Sequence, residues 1–243
     1  MEKYLFSGVV RPERACLSLD FTIGVSHLGT GIPCKVHVSI ICNQMAVWVE
    51  TDHVWDIFDL KNMVKTVVTN HIAMLAYLKG YAYEIEIDRV LNPARNVDYV
   101  FGIGIPCLEK RCASVDPNLA LNALADKAIG PDGVYLTRCF NDLASAMTHA
   151  DDTAFYCYRA IESLRKHCAS RYGLLEKGDN EQWMKFRDVA GVQKTEVIKI
   201  KDAADPLRHG DVSSMTSDER AKLFMSTWDI VDAYLATVSS GGN

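Results

Sequence analysis

The residues with the clearest chemical potential lie close together near the C-terminal end, in the string Ala203-Ala204-Asp205-Pro206-Leu207-Arg208-His209-Gly210-Asp211. An arginine guanidinium can hold a phosphate through two parallel hydrogen bonds, and a histidine titrates near neutral pH. Because proline and glycine interrupt the string, we predict a shaped loop between two helices that presents Arg208 and His209 to an anionic ligand. The alternative is that Asp205-Pro206 ends the preceding helix and that Arg208 and His209 bond its free carbonyls.

The segment that contains further candidate cations is locally basic. From Arg159 to Lys201 the chain has ten Lys and Arg against six Asp and Glu, although the formal net charge of the whole chain is -5. A chain of net negative charge has no general attraction for a polyanion, which disfavours a nonspecific nucleic-acid coat. The local excess indicates either a solvated helical face with ordinary i,i+4 pairs or a modest phosphate site.

Metal and cofactor chemistry find little support in the sequence. Among the eight cysteines, Cys107 and Cys112 are the closest pair, and no second pair follows at zinc-finger spacing. The acidic residues Glu84, Glu86 and Asp88 alternate with apolar ones, which is typical of a wet sheet face. The chain has no P-loop, no G-x-S-x-G and no H-E-x-x-H motif. We therefore expect no metal and no cofactor.

The first part of the chain has the two-residue alternation of β-strands. Segments 35–40 and 45–49 predict one hairpin, and segments 81–88 and 97–103 predict a second with its turn at 92–96. Apolar residues at steps of three and four indicate a long helix from Asp52 to Lys79 that ends at Gly80. Further strand candidates and a loop are expected at 5–10, 16–23 and 29–31.

The second part of the chain has the pattern of a helical bundle. We predict an α+β protein with a small mixed or antiparallel sheet and one long helix over residues 1–105, a linker over 106–116, a bundle of five or six helices over 117–238 and a frayed tail over 239–243. Asp116-Pro117 opens the bundle as an N-cap followed by proline. Thr216 and Glu219 form a capping box before the last helix.

No targeting or membrane segment is expected. The first residues contain no apolar core of a signal peptide, and no stretch approaches the about 20 apolar residues that span a bilayer. A chain of 243 residues can build a core without disulfides, and cytosolic thiols are kept reduced. We expect a cytoplasmic protein with no membrane partner.

Several strings in the second half resemble the HEPN superfamily of helical bundles. Tyr158-Arg159-Ala160-Ile161-Glu162-Ser163-Leu164 is followed by a Trp-bearing segment, then by Arg208-His209-Gly210, then by Glu219-Arg220-Ala221 at the start of the last helix. The resemblance covers roughly residues 134–238. It implies a helical domain that binds nucleotides or RNA, or cleaves RNA without a metal, usually as a dimer with the site at the interface.

The chain departs from the catalytic motif of that superfamily. The motif is an Arg, four to six intervening residues and a His, often followed by Gly, and His209-Gly210 matches only its second half. The positions expected to hold the Arg are occupied by Ala204, Ala203 and Asp202. Metal-free RNA cleavage needs a base for the 2′-hydroxyl and a cation for the phosphorus oxygens. His209 is therefore a candidate base whose cation would have to come from Arg208, Arg159 or Arg165.

These considerations lead to one preferred hypothesis and two alternatives. We expect a HEPN-like homodimer that binds nucleotide or RNA without strong catalysis, through Arg208, His209, Arg159 and Arg165. The first alternative is a metal-independent ribonuclease with a displaced Arg and with His209 as base. The second is a non-catalytic interaction or scaffold protein in which the Arg-His string is only a helix terminus.

Overall fold

The computed structural model describes residues 1–27, 30–212 and 215–239, and it divides the chain into two compact units, Met1–Ile103 and Gly104–Asn243. The first unit holds a β-sheet and one long helix, and the second is helical. The expected α+β class is therefore confirmed. No helix in the described ranges is long and apolar enough to cross a membrane.

The sheet of the first unit has six strands in the order β2-β3-β4-β1-β5-β6, and neighbouring strands are antiparallel. Side chains of alternate residues point to opposite faces, as the two-residue period requires. The strands are β1 (Glu2–Arg11), β2 (Leu19–Ser26), β3 (Pro33–Ile41), β4 (Gln44–Thr51), β5 (Glu84–Asn92) and β6 (Val97–Val100).

Both predicted hairpins are confirmed. Strand β3 pairs with β4 and β5 pairs with β6, the latter around a short 3-10 turn at Pro93–Arg95. The earlier strand candidates are β1 and β2, but they are not neighbours, because β1 lies between β4 and β5. The loop expected at 29–31 falls partly outside the described residues.

One helix, α1 (Ile57–Lys79), covers one face of the sheet. Its buried residues pack on the apolar row of the strands that includes Tyr4, Phe6 and Val36. The helix begins at Ile57 and not at Asp52, because β4 extends to Thr51 and the Asp56 carboxylate caps the helix by accepting from the Phe58 and Asp59 amides. Gly80 ends it with φ 64°, as predicted.

The pairing of β1 with β5 shifts register between Ser7 and Gly8. A Cβ built on Gly8 would overlap the carbonyl oxygen of Glu86 on β5. The irregularity brings the two backbones too close for any side chain at this position. Gly24, in contrast, has open space where a Cβ would stand.

We expect Gly8→Ala to destabilise the sheet by about 1–3 kcal/mol, because the methyl group forces β1 and β5 apart. The matched control Gly24→Ala should leave the free energy of unfolding unchanged or raise it by up to about 1 kcal/mol, since alanine lowers the entropy of the unfolded chain. Hydrogen exchange of the β1 and β5 amides measures the opening of the sheet. Equal exchange rates in the two variants would contradict this account of Gly8.

The second unit contains seven helices in its described residues: α2 (Pro106–Cys112), α3 (Pro117–Lys127), α4 (Gly133–Thr148), α5 (Thr153–Arg171), α6 (Asp179–Ala190), α7 (Lys194–Arg208) and α8 (Ser217–Leu235). The capping box of Thr216 and Glu219 starts α8, and Asp116 caps α3, both as predicted. Residues 240–243 of the expected tail lie outside the described residues.

The segment expected to be a linker carries helix α2. Leu108 is buried in the helical core. Arg111 donates hydrogen bonds of 2.7 Å to Asp229 and 2.8 Å to Asp232, both on α8. These contacts attach the segment to the bundle, so it is part of the helical unit and not a linker.

The predicted loop from Ala203 is also helical, because α7 continues to Arg208 with Pro206 inside its last turn. A proline there removes one intrahelical hydrogen bond, which a helix within a turn of its end tolerates better than in its middle. The chain turns at His209, whose amide donates to the carbonyls of Asp205 and Pro206, and at Gly210, which has φ 87°. The loop therefore begins at His209 and not at Ala203, and the alternative helix end at Asp205-Pro206 is not present.

Helix α5 is the centre of the second unit, and α4, α6, α7 and α8 pack around it. Its buried face includes Ile161 and Leu164, but also the polar residue His167. The Nδ1 atom of His167 shares a hydrogen bond of 2.6 Å with the Tyr234 hydroxyl of α8. Burial lowers the pKa of His167 to about 4, so the imidazole is neutral in the folded protein.

Arg220 joins the start of α8 to the end of α4. Its guanidinium donates to Thr153 Oγ1 at 2.8 Å and to the carbonyls of Ala146 and Met147 at 3.0 and 2.7 Å. The two carbonyls belong to the last turn of α4, where intrahelical donors run out, and the Ala146 carbonyl also accepts from the Thr153 hydroxyl at 3.1 Å. The arginine thus caps a neighbouring helix.

The pKa of His167 makes the stability of the helical unit depend on pH. The unfolded chain binds a proton near the ordinary value of 6.5 and the folded protein only near about 4, so stability is intact above 6.5 and falls as the pH drops from 6.5 towards 4. The loss from this group between pH 7 and pH 4.5 is about 2–3 kcal/mol. We expect the free energy of unfolding of His167→Gln, measured with urea, to differ less between these two pH values than that of the wild type. An unchanged difference would refute the assignment.

Candidate functional site

One face of α5 carries the polar and aromatic residues that approach α6 and α7. Tyr158, Glu162 and Arg165 are spaced by four and three residues, which places them along one side of the helix. Arg208 comes from the last turn of α7, and Trp183 comes from α6. The site is therefore built from three helices of one unit.

Two guanidinium groups contact a pair of aromatic rings. The Arg208 Cζ atom lies 5.3 Å from the centroid of the Tyr158 ring, and the Arg165 Cζ atom lies 5.0 Å from that of Trp183. The two rings stack with centroids 6.2 Å apart and planes inclined by 19°. We call Arg208, Tyr158, Trp183 and Arg165 the arginine–aromatic stack. A cation over such a ring gains about 0.5–2 kcal/mol, more when it is shielded from water.

The two arginines differ in how much hydrogen-bonding capacity remains. The side chain of Arg165 is 6% exposed and its Nη1 donates to Asp179 at 2.5 Å. The side chain of Arg208 is 38% exposed, and its Nη1 lies 3.2 Å from Asp205, a carboxylate that Lys201 also contacts. The hydrogen bond from Lys201, followed by weaker contributions that include Arg208, lowers the pKa of Asp205. Among the described residues Asp205 is the one hydrogen-bond acceptor of Arg208, which leaves donors of this guanidinium unused.

The hydroxyl of Tyr158 is a neutral donor in this site. Burial, reinforced by Glu162, raises the pKa of Tyr158 to about 12, and Arg208 and Arg165 oppose the shift only in part. The phenol therefore keeps its proton at neutral pH. Within the part of the chain that the structure describes, this hydroxyl makes no hydrogen bond.

The structure brings two of the four predicted site residues together. Arg208 and Arg165 meet through the ring pair, whereas Arg159 pairs with Asp142 of α4 and lies 5.4 Å from the rings of Phe155 and Tyr156. His209 is exposed at the end of α7, and among residues 1–27, 30–212 and 215–239 no hydrogen bond, ion pair or ring contact involves its imidazole. Arg159 thus supports the α4–α5 contact.

Sequence reasoning named the arginines but assigned no role to the rings between them. Tyr158 stands in the string that carries the HEPN resemblance, and Trp183 lies in the Trp-bearing segment that follows it. The spacing of Tyr158, Glu162 and Arg165 is a signal that could have identified the α5 face. No pattern in the sequence shows that α7 ends beside that face, because this contact depends on the packing of the bundle.

Metal-ligating groups are not clustered in the described ranges, where no set of three or more His, Cys, Asp or Glu side chains could hold an ion. The eight cysteines are free thiols, and burial raises the pKa of Cys139, Cys157 and Cys168. Such thiols are poor ligands and poor nucleophiles. The chemistry that this site offers is hydrogen bonding by guanidinium, ammonium and phenol groups.

Comparison with family models gives a match in each unit. The model described as the N-terminal domain of DUF8168, a domain of unknown function, matches residues 4–101, and the corresponding C-terminal domain model matches residues 121–239. The chain carries both domains of the DUF8168 family. The arginine–aromatic stack lies within the C-terminal DUF8168 domain. No curated protein and no solved structure gives a significant match.

The ion pair of Arg165 can be tested through the pKa of Asp179. The hydrogen bond from Arg165 is the largest cause of the lowered pKa of this carboxylate, and Lys166 contributes least. We expect Arg165→Met to move the Asp179 pKa up towards the ordinary range, while the control Lys166→Met moves it much less. NMR titration of the carboxyl carbons measures both. If the two variants raise the pKa equally, Arg165 is not the partner of Asp179.

Proposed function

We propose that the helical unit binds the phosphate of a nucleotide or of RNA at Arg208, without strong catalysis. The observation that carries this proposal is the position of the Arg208 guanidinium, which is fixed on the Tyr158 ring while its side chain remains 38% exposed. A planar cation held in this way loses little conformational entropy when it binds an oxyanion in two-pronged fashion.

Neighbouring groups support the same ligand. The Tyr158 hydroxyl is a protonated donor, and Lys201 has a side chain that is 42% exposed. Asp205 occupies part of the hydrogen-bonding capacity of both cations, so a phosphate competes with this carboxylate for them. The expected affinity is accordingly modest and depends on salt.

Binding is proposed in preference to cleavage because of the position of His209. A metal-free ribonuclease needs a general base and a cation close to one phosphate. Among the described residues the His209 ring has no ion pair or hydrogen bond, and Arg159 and Arg165 are engaged by carboxylates. The HEPN resemblance supports nucleotide or RNA binding and a homodimer through the helical unit. The eight free thiols fit a cytoplasmic location.

Fluorescence anisotropy with a labelled single-stranded RNA tests the proposal. Arg208→Ala should weaken binding by about fivefold or more and reduce the dependence of log Kd on log salt, because one phosphate contact is lost. The control Arg138→Ala removes the same charge from the exposed surface of α4 and should leave binding unchanged. If both variants lose RNA-binding affinity equally, the effect comes from net charge and Arg208 is not a specific phosphate site.

The two alternative functions, a metal-independent ribonuclease and a non-catalytic interaction protein, predict different results in these measurements. Cleavage of the RNA in EDTA that is lost in His209→Ala would support a ribonuclease and overturn the non-catalytic proposal. Absence of binding to RNA and to nucleotides at low salt would overturn it in favour of a protein-interaction role. Sedimentation of the wild-type chain tests the homodimer separately.

A further inference from the structure

The face of the first unit's sheet that points away from α1 carries an aromatic row at its centre. Strand pairing places Trp48 of β4 directly opposite Leu5 of β1 on one side and His37 of β3 on the other. The row continues to neighbouring strands, because Leu5 pairs with Leu91 and His37 pairs with Thr22. Residues directly opposite one another on antiparallel strands project from the same face, so these five side chains form a continuous floor.

A cavity of about 420 Å³ lies over this floor. Its lining includes Trp48, His37 and Leu5, and it reaches Pro93 at the turn after β5. Trp48 is 42% exposed, which is unusual for the largest apolar side chain on a sheet. The volume falls in the range of small-molecule sites, and the mixture of apolar floor and a few polar groups is typical of them.

The imidazole of His37, next to Trp48 on the floor, makes one hydrogen bond and lies near a carboxylate. Thr22 Oγ1 lies 2.9 Å from His37 Nδ1, and Asp20 Oδ2 lies 3.6 Å from His37 Nε2. The His37 and Trp48 rings are 5.2 Å apart with planes inclined by 32°. The two rings therefore form an ordered π surface before any ligand arrives, which lowers the entropic cost of binding a flat molecule.

A row with net positive charge borders one side of the floor. Lys3 of β1 and Lys35 of β3 both pair in register with Glu50 of β4. Lys3 Nζ lies 2.9 Å from Glu50, and this contact is the main cause of the lowered pKa of the Glu50 carboxyl. In the described part of the chain Lys35 forms no ion pair. Its ammonium is thus available to an anion at the edge of the cavity.

The charge distribution on the rest of the face favours one small anion over a polyanion. The row on the other side of the floor begins at Arg89, whose guanidinium is paired with Asp98. It continues through the small residues Ser7, Ala46 and Ser39 to Asp20. On β5 the exposed carboxylates of Glu84 and Glu86 lie further along. A strand of RNA requires an extended basic groove and several stacking positions, whereas this face has one aromatic platform with two lysines at one end. The other cations of the face, Arg11 and Arg89, are each paired with carboxylates.

We propose that this cavity binds a mononucleotide, with its base stacked on Trp48 and His37 and its phosphate bound by Lys35 and Lys3. Stacking on aromatic side chains accepts any base, because every base has a π face. The cavity lies in the first unit and shares no residue with the arginine–aromatic stack, so it is a site additional to the one proposed above.

The test is an NMR titration of the full chain with adenosine 5′-monophosphate, followed through the indole N–H signals. Trp48 reports the sheet cavity and Trp183 reports the arginine–aromatic stack, so the two sites are read separately. We expect the Trp48 signal to shift and saturate, in the wild type and equally in Arg208→Ala. A Trp48 signal that does not move at millimolar nucleotide overturns the proposal, whatever happens at Trp183.

Variants assign the contacts. Trp48→Leu keeps an apolar side chain on the strand but removes the ring, and calorimetry should show binding weakened by about tenfold or more. The control Tyr77→Ala removes an exposed ring from α1 and should not affect binding at the cavity. Lys35→Ser should weaken binding of the nucleotide and leave binding of adenosine nearly unchanged. The control Lys79→Ser on α1 should change the binding of neither ligand. If the control variants lose as much binding affinity as the test variants, Trp48 and Lys35 are not the residues that contact the ligand.

Titrations with other ligands show which parts of the nucleotide the cavity binds and whether it prefers RNA. Adenosine should bind more weakly than the monophosphate, and inorganic phosphate alone should not shift Trp48. A single-stranded RNA that saturates the Trp48 signal at much lower concentration than the mononucleotide would overturn the proposal in favour of an RNA-binding face. Circular dichroism of each variant confirms that the sheet is intact.

Discussion

The burial of α5 on almost all sides is the constraint on which the helical unit depends. Four helices pack around it, and the polar residues on its buried face cannot turn to water. A buried polar group without a partner costs several kcal/mol, roughly the effect of a severe mutation. Arg165 and His167 therefore need partners on other helices, and they find them in Asp179 of α6 and Tyr234 of α8. These contacts select one rotation of each neighbouring helix about its axis, which apolar packing alone specifies less strictly.

The local elements of both units follow from local chemistry. The alternation of polar and apolar residues predicts the strands of the two hairpins. Gly80 ends α1 because glycine readily adopts the αL conformation. Asp116 and Thr216 start helices because their side chains accept from amides that a helix start leaves free. The position of β1 between β4 and β5 could not be predicted in this way. It depends on pairing between residues far apart in sequence, which no local pattern records.

The errors in the sequence interpretation have a common cause. The loop around Pro206 and the linker over 106–116 are predictions from local sequence alone, whereas packing makes both segments helical. Arg111 is tied to α8, and the last turn of α7 is held against α5 by Arg208 on the Tyr158 ring. Arg208 was recognised as a candidate from its own chemistry. Its aromatic support and the meeting with Arg165 depend on three helices, so they require coordinates.

The contact made by Arg220 has a consequence for how the protein opens. If the first turn of α8 frays, the guanidinium leaves the carbonyls of Ala146 and Met147, and the end of α4 loses two hydrogen bonds at the same moment. The hydroxyl of Thr153, at the start of α5, is released with them. Three helix ends are thus fastened by one cation, and fraying at any of them is penalised by the other two. This corner should open cooperatively, as a single foldon, and not helix by helix.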